Sequence, residues 1–100
     1  DYYTVSIASW KPINDIILKG QVDYAKHYPG YGHGDYQVLE DSVETLIKTD
    51  PDVMFTYFGD VDVAGHQEGF SVDEPWYMHE VEKVDGAVGQ VLGALKKRQY

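Results

Sequence analysis

The sequence predicts an α/β fold in which helices flank a mostly parallel sheet. Segments with strand character alternate with segments of helical periodicity along the chain. Residues 53–58 form a nearly continuous apolar run, which is typical of a parallel strand covered on both faces. Two or three predicted strands are few against the roughly five to six of an average sheet. We therefore expect residues 1–100 to be a single partial domain, a segment of a larger α/β unit, and a start at Asp1 instead of Met favours the same interpretation.

The first quarter of the chain predicts a strand, a short helix and a weak strand. Residues 3–8 alternate polar and apolar side chains and are rich in β-branched residues, which favours a strand. Pro12 suits the first turn of a short helix, and Gly20 is expected to end it in a left-handed conformation. Residues 22–25 carry a weak strand signal. Isoleucines at helical spacing are expected to share one face of the short helix: Ile13, Ile16 and Ile17.

A glycine-rich loop and a second helix follow. Residues 27–34 hold glycine, proline and tyrosine and predict a loop. Asp35 is expected to cap a helix over residues 36–49, which residues 50–52 end before the buried strand. Apolar residues at helical spacing predict the core-facing stripe of this helix: Leu39, Val43, Leu46 and Ile47.

The last part of the chain predicts a long loop and the longest helix. Residues 59–72 are dense in Asp and Gly and predict the loop, after which Asp73 is expected to cap a helix over residues 75–97. Glycines interrupt this helix and predict a close approach of a neighbouring element: Gly86, Gly89 and Gly93. Apolar residues in steps of four and three predict its buried stripe: Tyr77, Val81, Val84, Val88, Val91 and Leu95.

Charge and composition exclude several classes of partner. The formal net charge of −9 disfavours polymeric nucleic acid and anionic membranes, because both are polyanions. No stretch has the ~18 apolar residues of a membrane span. The absence of cysteine removes disulfide frameworks and thiolate metal sites, and it assigns the chain to no compartment.

The segment that follows the buried strand carries the main chemical signal. Ligands of open parallel sheets bind beyond the carboxyl ends of the strands. Asp62 and His66 lie there, four residues apart, so one helical turn or a tight loop can direct both side chains at one point. A carboxylate and an imidazole suit zinc or manganese. A solvent-exposed pair remains the alternative, because this spacing arises often by chance.

A calcium loop is excluded for the same residues. Asp60, Asp62 and Gly65 imitate the start of an EF-hand loop, but Ala64 stands at its fifth position and Ser71 replaces the Glu of its twelfth. A strand also precedes the segment where an EF-hand requires a helix.

Further polar and aromatic residues have plain structural interpretations. His33 lies in the glycine loop, where exposure to solvent is favoured over a contact with substrate. His27 has no partner signal and is given no role, and His79 is expected at the surface on the polar side of the last helix. Trp10 and Trp76 are expected to pack in the core or at its rim rather than to stack on a nucleobase.

Several stretches resemble the alkaline phosphatase superfamily, and the closest branch is the type I phosphodiesterase/nucleotide pyrophosphatase family. Residues 58–69, FGDVDVAGHQEG, resemble its Asp-x-x-Gly-His-x-x-Gly signature. Residues 9–14, SWKPIN, are similar to its Trp-x-Pro-(Ile/Leu)-Asn stretch. Residues 50–58 resemble its Pro-Asp-(apolar) strand, and residues 84–89, VDGAVG, resemble its Val-Asp-x-x-Val-Gly helix. The order of these stretches is also that of the family.

The resemblance implies a segment of an alkaline-phosphatase-like α/β/α sandwich that hydrolyses phosphoesters at a site of two divalent ions, usually zinc. Asp62 and His66 match two ligands of one ion. No residue matches the nucleophilic Thr or Ser, the third ligand of that ion or the ligands of the second ion, so the remainder of a parent chain is the implied partner. The segment alone is expected to be inactive. Asp85 takes a structural role, and Asp60 lies either behind the metal loop or in solvent.

A small acidic α/β interaction module without catalysis is the alternative function. It explains the lack of a nucleophile and a base. It does not explain why Asp62 and His66 follow the most apolar strand.

Overall fold

A computed structural model describes residues 1–29 and 34–98 of the chain. Its element order confirms the predicted α/β class. A single π-helical turn, Ile13–Ile17, lies between the first two strands. The other elements are β1 (Thr4–Ala8), β2 (Tyr24–His27), α1 (Gly34–Thr49), β3 (Val53–Tyr57), α2 (Asp60–Glu68) and α3 (Pro75–Lys96).

The strands form a parallel sheet in the order β2-β1-β3. The central strand β1 pairs Ile7 with Lys26 on one side and with Thr56 on the other. Because all the pairings are parallel, the carboxyl ends of the strands meet at one edge of the sheet. The segments that leave this edge begin at Ser9, Tyr28 and Phe58.

One face of the sheet packs against α1 and forms the core. Val5 and Ile7 of β1 meet Val38 of α1, and all of them are almost fully buried. The predicted stripe of α1 is wrong in part, because Ile47 is 61% exposed. Leu46 of the stripe is buried, and other side chains that α1 buries lie one position before the stripe and include polar residues: Val38, Ser42 and Thr45.

Strand β3 is not covered on both faces, contrary to the sequence prediction. Val53 is 58% exposed and Phe55 is 44% exposed. Within the described residues, β3 pairs only with β1, and its packing against helices is with α1 on the inner face. The apolar run therefore reflects an edge strand with one open face.

The short helix also differs from its prediction. Ile13 is buried, but Ile16 and Ile17 are 74% and 61% exposed. Leu18 N–H donates to Ile13 O at 2.8 Å, which is an i→i+5 bond. This wider turn moves the later isoleucines off the face that an α-helix would give them. Gly20 has φ of +73°, as expected of a left-handed terminus.

Helix α3 packs against α1 and α2. Its most buried residues, Glu80, Ala87 and Ala94, are spaced seven apart, and Val88 of the predicted stripe is 42% exposed. The prediction of a close approach at its glycines is wrong, since a Cβ at Gly86, Gly89 or Gly93 meets no described atom within 4 Å. Glu74, not Asp73, is the N-cap residue. In the part of the chain that is described, no helix is long and apolar enough to cross a membrane.

Candidate metal centre

The segment predicted as a loop after the third strand forms helix α2 instead. Asp60 and Asp62 lie in its first turn, where carboxylates interact favourably with the positive end of the helix. Gly69 ends the helix with φ of +113°, and its N–H donates to Gly65 O at 2.8 Å. The Asp-rich composition that favoured a loop therefore stabilises a helix start.

Asp62 and His66 lie on one side of α2, one turn apart. Asp62 Oδ1 is 3.4 Å from His66 Nε2, and the two side chains are 62% and 72% exposed. Ligand atoms about 2.0–2.1 Å from a tetrahedral zinc ion lie about 3.4 Å from each other. Both the donor types and their separation therefore fit two positions of a zinc site. No group of three or more potential ligands forms among residues 1–29 and 34–98.

Aromatic packing orients the His66 ring. Phe70 contacts it edge-to-face at a centroid distance of 5.2 Å, and Tyr77 of α3 contacts Phe70 at 5.7 Å. A Cβ at Gly65 would overlap with the Phe70 ring. Glycine at this position is therefore what allows Phe70 to lie against the helix beside His66.

A buried hydrogen-bond network fixes the start of α2 at the sheet edge. Asp35 Oδ1 accepts from Gly59 N–H at 2.7 Å, and Asp35 Oδ2 accepts from Asp60 N–H at 3.0 Å. Ser9 Oγ, after β1, donates to Asp35 Oδ1 at 3.2 Å and accepts from Gly59 N–H at 2.8 Å. Asp35 thus holds the first turn of α2, whereas the sequence predicted that it would cap its own helix.

Helix α3 supplies a cation to the same region. Lys83 Nζ lies 2.6 Å from Glu80 Oε2 and 3.6 Å from Asp60 Oδ2. The sequence left two positions open for Asp60, behind the metal loop or in solvent. Asp60 is 2% exposed, so it is buried. Glu80 is 1% exposed. A buried cluster of carboxylates with one ammonium group therefore lies directly behind α2.

Burial dominates the electrostatics of this cluster. It raises the pKa of Asp35, while hydrogen bonds from the backbone of Asp60 and Gly59 oppose the shift. Burial and the neighbouring Asp35 charge raise the pKa of Asp60, against the attraction of Lys83. Burial would lower the pKa of Lys83, but the bond to Glu80 and the surrounding carboxylates outweigh it and raise the pKa. Burial therefore accounts for the raised pKa values of the two Asp carboxyls, and opposite charges account for the raised pKa of Lys83.

A cleft of about 890 Å³ opens at the carboxyl edge of the sheet, next to Asp62. Lys11 and His27 contribute basic groups to its lining, and Trp10 and Tyr57 contribute aromatic rings. Trp10 is 51% exposed, with its ring centroid 6.2 Å from that of Tyr57. The cleft therefore offers an ammonium group and aromatic surface beside Asp62.

The other candidate residues lie apart from this centre. Asp85 and His79 are exposed on α3, and His79 stacks on the half-exposed ring of Trp76 at 5.3 Å. His33 lies outside the described residues.

Several residues that support the start of α2 were not predicted from the sequence: Ser9, Glu80 and Lys83. Asp35 was predicted, but as the cap of its own helix. One signal was present: Glu80 lies three residues after Tyr77 and four before Val84, on the apolar stripe of the helix. A charged residue on an apolar stripe indicates a buried, paired carboxylate.

A family model described as Type I phosphodiesterase / nucleotide pyrophosphatase matches residues 2–100. No curated protein and no solved structure matches the chain.

Proposed function

The chain belongs to the type I phosphodiesterase/nucleotide pyrophosphatase family, and from this premise we propose that it is part of a metal-dependent phosphoester hydrolase and contributes two ligands of one metal ion. Asp62 and His66 are the proposed ligands. Zinc is the proposed ion, with manganese the other candidate, in a two-ion site completed by the remainder of a parent chain. The observation that carries the proposal is the 3.4 Å separation of Asp62 Oδ1 and His66 Nε2 beside the cleft at the sheet edge.

The proposed chemistry is hydrolysis of a small phosphoester. A bound divalent ion would supply Lewis acidity and lower the pKa of a hydroxyl or water nucleophile. Asp62 and His66 would hold the ion at the edge of the cleft, and Phe70 would keep the imidazole in its ligating orientation. Lys11, which is ion-paired with Asp15, would attract the phosphoester, because its ammonium group lines the cleft of a strongly acidic protein.

The exposure of Asp62 and His66 indicates how strongly residues 1–100 alone would bind a metal ion. Two ligands that are more than half exposed bind zinc weakly, and no residue of the sequence matches the nucleophilic Thr or Ser of the resemblance. We therefore expect metal binding without hydrolysis from residues 1–100, and activity in a longer protein that contains them.

Zinc titration of the ¹⁵N-labelled chain, followed by the imidazole signals, tests the ligand assignment. We expect Zn²⁺ to shift the His66 ring signals in the wild type and Asp62→Asn to abolish that shift. In His66→Gln, Zn²⁺ should leave the remaining imidazole signals unmoved. His79→Gln and Asp85→Asn change the same residue types at exposed positions of α3 and should leave the His66 shift intact. A His66 shift that persists in Asp62→Asn contradicts the assignment.

The same substitutions test the hydrolase proposal in a longer protein. Asp62→Ala and His66→Ala should each lower its zinc content and its rate on a phosphodiester such as bis(p-nitrophenyl) phosphate. An unchanged zinc content and rate in both variants would contradict the proposal. A chain that binds no zinc and melts independently of chelator would favour the acidic interaction module.

A further inference from the structure

Three almost fully buried carboxylates meet one ammonium group where α1, α2 and α3 join. Asp35, Asp60 and Glu80 are 3%, 2% and 1% exposed. Lys83 Nζ lies 2.6 Å from Glu80 and 3.6 Å from Asp60. We infer that Lys83 is a positioning residue for the metal centre, which holds Asp60 and thereby sets the direction of Asp62 and His66. This inference rests on the proposed function, because it concerns the geometry of the proposed ligands.

Asp60 depends on Lys83 more than Asp35 does. The Asp35 carboxylate accepts from Gly59 N–H and Asp60 N–H at 2.7 and 3.0 Å, and from Ser9 Oγ. The Asp60 carboxylate accepts one long bond, from Asp35 N–H at 3.4 Å. In the described ranges, Lys83 is the one cation within ion-pair distance of Asp60. Without it, a buried carboxylate would keep only that long bond.

Helix α2 is the element that would move. It has nine residues, fewer than the ~12–15 at which an isolated helix becomes even marginally stable, so packing must hold it in place. Gly59 has no side chain that could cap it, so Asp35 of α1 holds its first N–H groups, and its packing against another helix is with α3. Asp60 is its first residue and lies two positions before Asp62. A shift of Asp60 toward water would therefore rotate the first turn of α2 about the helix axis. This rotation would change the distance between Asp62 and His66.

Glu80 also forms an ion pair with Lys83, so substituting Lys83 alone affects two carboxylates. Glu80 Oε1 accepts no hydrogen bond from the described residues. Removing Lys83 alone therefore leaves both Glu80 and Asp60 uncompensated, which could unfold the chain. A Lys83→Met/Glu80→Leu double variant removes the second carboxylate together with the ammonium. It leaves Asp60 as the residue that has lost its cation.

The test is Zn²⁺ titration of the full 100-residue chain, followed by the His66 ring signals. We expect Lys83→Met and the double variant to weaken zinc binding about tenfold, the lower range for residues that orient metal ligands. Lys83→Arg keeps the charge and should restore most of the affinity. Lys96→Met removes an exposed lysine of the same helix and should have no effect. Wild-type affinity in the folded double variant, or an equal loss in Lys96→Met, overturns the inference.

Amide hydrogen exchange separates this inference from the proposed function. If zinc does not shift His66 in the wild type, the ligand assignment fails, and exchange still reports how α2 is held. Faster exchange confined to residues 63–66 in the double variant, with exchange in β1 unchanged, supports the role of Lys83 in holding α2. Unchanged exchange in α2 overturns it.

Discussion

Asp35 and Asp60 hold the first turns of each other's helices. Asp60 N–H donates to Asp35 Oδ2 at 3.0 Å, and Asp35 N–H donates to Asp60 Oδ2 at 3.4 Å. Each carboxylate lies at the positive end of a helix, where negative charge is stabilised. The pair joins α1 to α2 at the carboxyl edge of the sheet, so the helix that carries Asp62 and His66 is tied to the core.

Asp35→Ala should destabilise the chain more than any exposed substitution. It removes the acceptors of Gly59 N–H and Asp60 N–H and leaves these donors without their partner. We expect a loss of about 2 kcal/mol in the free energy of unfolding, measured by urea denaturation. Asp85→Ala, at an exposed position of α3, should change stability by no more than about 0.5 kcal/mol. Equal effects of the two substitutions would contradict the assigned role of Asp35.

Gly65→Ala should displace Phe70. The new Cβ would overlap with the Phe70 ring, which must then swing away from α2 and from His66. We expect a loss of about 1 kcal/mol, at the low end for overpacking because Phe70 is 58% exposed. The ring signals of His66 should shift as the aromatic edge leaves. Unchanged His66 signals together with an unchanged unfolding free energy would contradict the packing described for Phe70.

Gly86→Ala and Gly89→Ala should stabilise the chain. A Cβ at either position meets no described atom within 4 Å, and both residues lie inside helix α3. Alanine is favoured over glycine in a helix interior by about 1 kcal/mol. Thermal melts should therefore show a higher midpoint for each variant, opposite in sign to Gly65→Ala. A lower midpoint would mean that α3 approaches another surface at these glycines.

Alkaline pH should destabilise the chain through Tyr28. Burial, with a hydrogen bond to Asp41, raises the pKa of Tyr28 from 10.0 to about 12. The native state therefore holds this proton more tightly than the unfolded state does. The resulting stabilisation is fully present below pH 10 and is lost as the pH rises toward 12.

Denaturation at a series of pH values checks this dependence. The Tyr28→Phe variant should lose less stability than the wild type between pH 10 and pH 12, because it has no hydroxyl to titrate there. Tyr36→Phe changes a tyrosine that is 66% exposed and serves as the control. Parallel curves for the wild type and Tyr28→Phe would contradict the predicted coupling.

Local sequence patterns predicted where the helices and strands lie better than they predicted which faces of those elements are buried. The α/β class, the three strands and the two long helices follow from periodicity and β-branched composition. The prediction of full burial for residues 53–58 failed because apolar composition does not show whether a strand lies inside a sheet or at its edge. The prediction of the buried stripe of α1 was wrong in part because Ser42 and Thr45 lie on the buried face. A prediction from apolar spacing does not assign polar residues to that face.

By itself, the sequence was enough to single out the two candidate ligands. Asp62 and His66 are four residues apart after a strand, and any regular helix brings such a pair to one side, so their proximity could be predicted from spacing. Only the tertiary structure decided what holds that helix in place. Ser9, Asp35 and Lys83 come from distant parts of the chain, and the parallel sheet and the packing of α3 bring them to Asp60. Contacts between residues so far apart depend on how the elements pack, which no local periodicity encodes.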